Sequence, residues 1–154
     1  MSVTIRLGSP ADLPQIIEIA NASQTAAHWR AQNYDQIFRT KRVLLLAEWN
    51  KQTVGFVVAH DLAGEWELEN IVVAPAHQRR GLGKQLVHTL IREAKFRNGK
   101  FIFLEVRESN IGAKLLYERC GFQQYGRRAG YYSHPPEDAI LYRFLCNPKT
   151  LENC

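Results

Sequence analysis

Residues 78–84 have the composition of an anion-binding loop. They read Gln78-Arg79-Arg80-Gly81-Leu82-Gly83-Lys84, and a pattern typical of a helix follows them. Glycine lets backbone N–H groups approach a ligand without an intervening Cβ, and the first turn of a helix adds unpaired donors and partial positive charge. Because three side chains add formal positive charge, we predict that this loop binds phosphate groups.

The glycine spacing excludes two common nucleotide loops. A P-loop has the pattern GxxxxGK[ST], but here Gln85 follows Lys84. A dinucleotide loop has the pattern GxGxxG, but Leu86 occupies the position of its third glycine.

One carboxylate, Glu105, interrupts the apolar segment Phe101–Val106. Alternation along a strand would place Glu105 on the same face as Phe101 and Phe103. An unpaired carboxylate shielded from water there should have a raised pKa, which suits a general base. The structural alternative is a salt bridge from Glu105 to Arg107 or Arg143.

Charge is distributed unevenly along a chain of 154 residues with a formal net charge of +5. Residues 79–100 contain seven Lys or Arg and one acid, so this segment accounts for the whole positive excess. Four acids, Asp61, Glu65, Glu67 and Glu69, fall within nine residues that lack Lys and Arg. We interpret the pattern as an anionic ligand on one side and a cationic ligand nearby, although ordinary solvated faces would also explain it.

Hydrophobic periodicity and turn residues predict the order βααβββαβαββ in a mixed α/β domain spanning residues 1–154. The predicted strands cover residues 3–7, 43–49, 54–60, 66–73, 101–106, 122–125 and 139–146. The first predicted helix begins at Pro10, with Ser9 as its N-cap. The others cover residues 34–40 and 82–96 and run from the cap at Asn110 to Arg119. An aromatic loop that contains proline is expected between the last two strands.

Several functional classes are disfavoured by composition. The three cysteines, Cys120, Cys146 and Cys154, are widely spaced, and neither CxxC nor HExxH occurs, so we expect neither a disulfide framework nor a metal site. No apolar run approaches the length of a membrane span, and the start lacks the order of a signal peptide. We therefore expect a cytoplasmic protein that does not bind membranes.

The loop Gln78–Gly83 resembles the Q/R-x-x-G-x-G/A pyrophosphate loop of the GNAT superfamily of acyl-CoA N-acyltransferases. Five further segments extend the resemblance: Leu68–Pro75, Leu104–Asn110, Leu116–Glu118, Cys120–Phe122 and Glu137–Ala139. Within the superfamily this set resembles the ribosomal-protein-alanine N-acetyltransferases. The resemblance implies a single domain with a mostly antiparallel sheet of about seven strands, flanked by about four helices.

The resemblance also implies site residues for acetyl-CoA, the expected co-substrate. The backbone of Ile71, Val72 and Val73 would pair with the pantetheine arm, residues 78–84 would hold the pyrophosphate, and Asn110 would lie near the reactive end. Glu105 would be the general base and Tyr117 the general acid, while packing in the core is the alternative role for Tyr117.

The acceptor side is implied in the same way. Glu69 is a rival base, or a group that attracts a cationic substrate terminus. Tyr131 and Tyr132 would line a peptide pocket, although Ala129-Gly130 stands where the family usually has asparagine.

We therefore predict transfer of acetyl from acetyl-CoA to a protein N-terminal amine, most specifically the N-terminal alanine of a small-subunit ribosomal protein. One alternative acceptor is a lysine side chain or a small-molecule amine. A non-catalytic acyl-CoA-binding module is a further alternative. Nucleic-acid binding is disfavoured because Phe96 is the only aromatic residue in the basic helix.

Overall fold

The computed structural model describes residues 3–23, 26–27 and 29–147, and these build one seven-stranded sheet with helices on both faces. The strands are β1 (Val3–Leu7), β2 (Arg42–Trp49), β3 (Gln52–Leu62), β4 (Glu65–Val73), β5 (Phe101–Arg107), β6 (Gln123–Tyr132) and β7 (Glu137–Leu145). The helices are α1 (Leu13–Asn21), α2 (Ala31–Asp35), α3 (Leu82–Phe96) and α4 (Ile111–Arg119). The sheet order is β1-β2-β3-β4-β5-β7-β6.

All neighbouring strands are antiparallel except β4 and β5, which are parallel. The predicted mixed α/β architecture with seven strands and four helices is therefore confirmed. The helices α3 and α4 have the bounds that periodicity and capping residues predicted. The predicted second helix is shifted, since α2 ends at Asp35 and a 3-10 turn covers Gln36–Phe38.

Each face of the sheet packs against one pair of helices. The first helix pair, α1 and α2, covers one face through Ile16, Ala20 and Tyr34, which pack with side chains of β2 and β3. On the other face, α3 and α4 pack against the sheet. The buried side chains of α3 are Leu82, Leu86, Val87, Leu90, Ile91 and Ala94. This stripe holds the predicted anion-binding loop at a fixed end of the sheet.

The prediction of an extended loop between the last two strands is wrong. The strand β6 continues from Gln123 to Tyr132, and only residues 133–136 separate it from β7. The ladder of β6 with β7 is interrupted between Arg128 and Tyr132, which gives the strand the bulge that its Gly130 accommodates at φ 62°.

Among the described residues, no helix is long and apolar enough to cross a membrane.

Candidate active site

The parallel strands β4 and β5 separate after a short paired segment. Only Glu65–Glu67 pairs with Phe101–Phe103, although β4 continues to Val73 and β5 to Arg107. Residues Ile71, Val72 and Val73 pair on their other edge with β3. No strand pairs with them on the side of β5, so an extended ligand can add to this edge as a strand does, although the Val73 carbonyl oxygen already accepts a hydrogen bond from Gln78.

The glycine-containing loop lies at the end of β4, before α3. Gly81 caps α3 in the left-handed region at φ 78°, and no atom would lie within 4 Å of a Cβ added there. Its backbone conformation, and not crowding, is what requires glycine. At Gly83 the reason is packing, because an added Cβ would lie 3.3 Å from Leu116 Cδ2.

Two side chains of this loop hold it against the sheet. The Nε2 group of Gln78 donates to the carbonyl oxygen of Val73 at 3.1 Å. The guanidinium carbon of Arg80 lies 5.0 Å from the centre of the Trp49 ring, a cation–π contact. Arg79 and Lys84 are exposed, and the first-turn amides of α3 have no partners within the helix.

Asn110 caps the helix α4 and so fixes its start beside the end of β5. Its side-chain oxygen accepts a hydrogen bond from the backbone N–H of Ala113 at 3.2 Å. This contact gives Asn110 a structural role, and the predicted contact with a ligand stays a prediction.

Tyr117 lies on the buried side of α4. It is 4% exposed, and its ring packs against those of Phe122 and Tyr142 with centroid distances of 5.7 and 6.3 Å. Burial raises the pKa of Tyr117 well above its usual range, with smaller contributions from Tyr132 and Cys120. The phenol is therefore protonated throughout the physiological pH range, as a proton donor must be. Cys120 is a buried free thiol in the same core, as predicted, whereas Cys154 lies outside the described residues.

A cleft of about 290 Å³ lies on the opposite face of the sheet, near the point where β4 and β5 separate. It is lined by Leu62, Glu65, Glu67, Phe103, Leu104, Glu105, Tyr125 and Arg128. Three carboxylates and one guanidinium give the cleft a net negative charge, which favours a cationic ligand.

Glu105 shares a face with Phe101 and Phe103, as the alternation predicted, but the expectation that it is unpaired is wrong. Its Oε1 atom lies 3.4 Å from Nη1 of Arg128, and its side chain is 24% exposed. The Tyr131 hydroxyl lies close enough to interact with it, and this interaction raises the pKa of Tyr131.

The two arginines considered as partners of Glu105 are engaged elsewhere. Arg107 pairs with Glu137 at 3.2 Å, and Arg143 lies over the ring of Tyr125 at 5.4 Å. The correct partner of Glu105 comes from β6, which lies beyond β7 in the sheet.

The two acids of β4 near the cleft have different surroundings. The Glu69 carboxylate forms a double hydrogen bond with Arg42, with Nε–Oε1 and Nη2–Oε2 distances of 2.6 and 3.1 Å. Glu67 is exposed at the cleft, where desolvation and then the charges of Glu69 and Glu105 raise its pKa above the ordinary value. Glu67 is thus a third candidate proton acceptor, whereas the Glu69 carboxylate is already paired with Arg42.

The rings of Tyr131 and Tyr132 lie 5.0 Å apart in an edge-to-face arrangement, and neither residue is among those that line the cleft. The guanidinium of Arg107 lies 4.3 Å from the centre of the Tyr132 ring. Burial, followed by the charge of Glu105, raises the pKa of Tyr132 to about 12. The structure therefore brings both tyrosines near Glu105.

Arg128 and Tyr125 were not predicted from the sequence as site residues, and Glu67 was predicted only as part of the acidic segment. All three line the cleft. Local sequence carries no signal for Arg128 or Tyr125, because their position depends on pairing of β6 with β7. Glu67 carried a signal in the acidic bias of β4.

A model of the acetyltransferase (GNAT) family matches residues 13–122, a range that includes α1–α4 and β2–β5. The matched range contains the glycine loop, Glu105 and Tyr117.

Several similar proteins share one name, and one of them aligns with most of the chain. The chain is 35% identical over 142 residues to a [ribosomal protein bS18]-alanine N-acetyltransferase of Salmonella typhimurium, covering 90% of this chain and 94% of that protein. Shorter alignments with other relatives of that name span 64% of their length.

Two solved structures have the same fold. The crystal structure of the ribosomal-protein-S18-alanine N-acetyltransferase from Escherichia coli has a TM-score of 0.84 at 30% identity, covering 95% of each chain. The structure of YncA from Salmonella typhimurium with its cofactor acetyl-CoA has a TM-score of 0.82 at 21% identity, covering 96% of this chain and 95% of that one.

Proposed function

Because the chain belongs to the GNAT family of acetyltransferases, we propose that it transfers acetyl from acetyl-CoA to the N-terminal α-amine of a protein. The proposed acceptor is the N-terminal alanine of a small-subunit ribosomal protein. We further propose that one domain, residues 1–154, contains the whole catalytic machinery. The observation that carries the proposal is the acidic cleft beside Glu105, next to the point where β4 and β5 separate.

Donor binding uses backbone groups more than side chains. The pantetheine amides would pair with the free edge of Ile71–Val73, and the pyrophosphate would contact the amides at the start of α3. Arg79 and Lys84 are exposed there and can neutralise phosphate charge. No metal is needed in this arrangement, since amides and cations supply the anion-binding groups.

Acceptor activation is assigned to Glu105. A peptide α-amine has a pKa near 8, so a large fraction is protonated at neutral pH and cannot attack. The ammonium group first loses one proton to solvent. The neutral nitrogen then attacks the thioester carbonyl carbon, and a second proton passes from that nitrogen to the Glu105 carboxylate, which releases it to solvent. The new C–N bond forms as the C–S bond breaks.

Leaving-group protonation is assigned to Tyr117. The phenol gives its proton to the CoA sulfur as the C–S bond breaks, and then regains one from the proton released by the amine through solvent. The products are the N-acetylated protein and CoA with a free thiol. Each such proton transfer typically contributes ~10²–10⁴-fold to the rate.

The acceptor class rests on charge and on the named relatives. Glu65, Glu67 and Glu105 line the cleft, which favours a cationic terminus and basic neighbouring residues. The relatives at 30–40% identity are named for alanine acetylation of ribosomal protein S18. Such an acceptor is made in the cytoplasm, which we propose as the location of the protein.

An acetylation assay on matched peptides tests the proposal. The purified protein is mixed with acetyl-CoA and a basic peptide that starts with alanine, and the acetylated residue is located by mass spectrometry. We expect one acetyl group on the α-amine and none on the same peptide with a blocked terminus.

The same assay distinguishes the alternatives. Equal reaction of the blocked peptide, at a lysine or elsewhere, would refute the N-terminal assignment. Binding of CoA without turnover on peptides or small amines would favour a non-catalytic module. Comparison of protein N-termini from cells with and without the protein identifies the natural acceptor.

A further inference from the structure

Two side chains from β6 already contact the carboxylate of Glu105, and one of them is a cation. Arg128 Nη1 lies 3.4 Å from Glu105 Oε1, and the Tyr131 hydroxyl lies near enough to interact with the same carboxylate. The Arg128 guanidinium also lies 5.5 Å from the centre of the Tyr131 ring. Glu105 is therefore occupied by partners from its own chain.

The strand register explains why Arg128 reaches the cleft and its neighbour does not. Glu105 is opposite Leu141 and Arg128 is opposite Ala139, two residues on one face of β7. Arg127 is opposite Ile140, which packs in the core beneath α3. Arg127 therefore projects on the other face.

The position of Arg128 conflicts with the approach of an acceptor amine. A general base must come within about 2.6–3.2 Å of the group it deprotonates. Arg128 lines the same cleft and brings its positive charge to the same carboxylate. An ammonium group entering this cleft would therefore compete with the guanidinium.

Resting on the function proposed above, we propose that Arg128 is a specificity-determining residue. Its guanidinium occupies the position beside Glu105 that the acceptor's cation would take. The cationic N-terminus of the acceptor then displaces it toward solvent. Glu65 and Glu67 remain in the cleft to receive that positive charge. An acceptor with acidic residues next to its terminus binds more weakly, because the carboxylates of the cleft repel those residues.

Displacement of Arg128 costs little free energy because its contacts are exposed to solvent. Its side chain is 56% exposed, whereas that of Glu105 is 24% exposed. Exposed ion pairs are weak, so competition by Arg128 should weaken acceptor binding by about two- to fivefold.

Three variants test the proposal in the full chain. Arg128→Ala removes the competing cation, Arg128→Lys retains a cation, and Arg127→Ala removes the neighbouring positive charge. Arg127 is a matched control, since it pairs with Glu108 at 2.8 Å and Asp138 at 2.9 Å, outside the cleft. Thermal unfolding verifies that each variant is folded.

The readout separates binding of the acceptor from chemistry. For a basic peptide starting with alanine, we expect Arg128→Ala to lower KM about two- to fivefold, with kcat and the KM for acetyl-CoA unchanged. Arg127→Ala should keep the wild-type KM, and Arg128→Lys, which retains a cation, should lower KM less than Arg128→Ala does. The dissociation constant of the peptide, measured with CoA present, should follow KM. A purely structural role for Arg128 would raise KM or lower kcat instead.

Peptide charge provides the second arm of the experiment. The fall in KM caused by Arg128→Ala should be larger for a peptide with arginine at position two than for one with glutamate there. An unchanged or raised KM in Arg128→Ala, or an equal fall in Arg127→Ala, would overturn the inference while leaving the proposed function intact. If the wild-type protein neither binds nor acetylates these peptides, the proposed function and the inference both fail.

Discussion

Replacement of Glu105 by glutamine removes the proposed base while keeping the shape of the side chain. Glutamine keeps an oxygen that can interact with the nearby Tyr131 hydroxyl, the neighbour of Glu105 from β6 that carries no charge. The change therefore removes the proton-accepting carboxylate and one ionic contact with Arg128.

The structure separates the expected chemical effect from the structural one. The ion pair with Arg128 has a 3.4 Å separation and a partner that is 56% exposed, so its loss should cost at most ~1 kcal/mol. That cost corresponds to no more than about fivefold in an equilibrium constant. Loss of a general base typically costs ~10²–10⁴-fold, or roughly 3–5 kcal/mol in the barrier. A fall in kcat beyond fivefold is therefore attributable to chemistry.

Thiol release from acetyl-CoA, measured with a basic peptide at saturating concentrations, gives kcat for Glu105→Gln and for Glu67→Gln. Glu67 is the matched control, because it lines the same cleft and its raised pKa makes it a competing base. Calorimetric titration with CoA should show unchanged donor affinity in both variants.

We expect Glu105→Gln to lose at least 100-fold in kcat and Glu67→Gln to lose less than tenfold. The assignment of the base is refuted if Glu105→Gln retains activity within fivefold of wild type. A larger loss in Glu67→Gln would transfer the role to Glu67.

Three further predictions concern other parts of the site and the fold. Tyr117→Phe should lower kcat by about 10²-fold or more and leave CoA affinity unchanged; equal turnover in steady-state kinetics would return Tyr117 to a packing role. Gly81→Ala should lower the free energy of unfolding by about 1–2 kcal/mol, because φ is 78° there. The control Gly112→Ala lies in α4, where an added Cβ has open space, and should not destabilise the protein. Urea denaturation compares the two variants. The Arg6 side chain lowers the pKa of Asp12 from 3.8 to about 2 by hydrogen bonding. The wild-type protein should therefore be more stable than Asp12→Asn above about pH 5, and this difference should vanish as the pH falls through 3.8 toward 2. A constant difference in the free energy of unfolding across that range, measured by urea titration, would contradict the prediction.

Much of the fold could be predicted from local sequence. The helix α3 follows from a regular apolar stripe that ends at Asn98-Gly99, and its bounds were predicted correctly. The hairpin between β2 and β3 is predicted by the turn residues Asn50-Lys51-Gln52, although the structure makes the turn with Asn50 and Lys51 at positive φ and begins β3 at Gln52. In these places periodicity and turn chemistry agree with tertiary packing.

The length of β6 could not be predicted in this way. Residues 126–132 contain two glycines and two arginines and lack a clear apolar alternation. Pairing with β7 imposes the extended conformation, so tertiary structure overrides local propensity.

The ion-pair partners of the candidate site residues could not be predicted from local sequence either. The contact between Glu105 and Arg128 spans an intervening strand, and the pair of Glu69 with Arg42 joins β4 to β2 across β3. Neither contact follows from the periodicity of one element. The position of Glu105 on its strand could be predicted, but the identity of its countercharge required the sheet order.

A crystal structure of the protein with CoA tests the central claim most directly. We expect pantetheine between residues 71–73 of β4 and 104–107 of β5, pyrophosphate on the amides of residues 81–84, and the sulfur facing Glu105. Coenzyme A bound away from the separated strands, or with its sulfur remote from Glu105, would contradict the account.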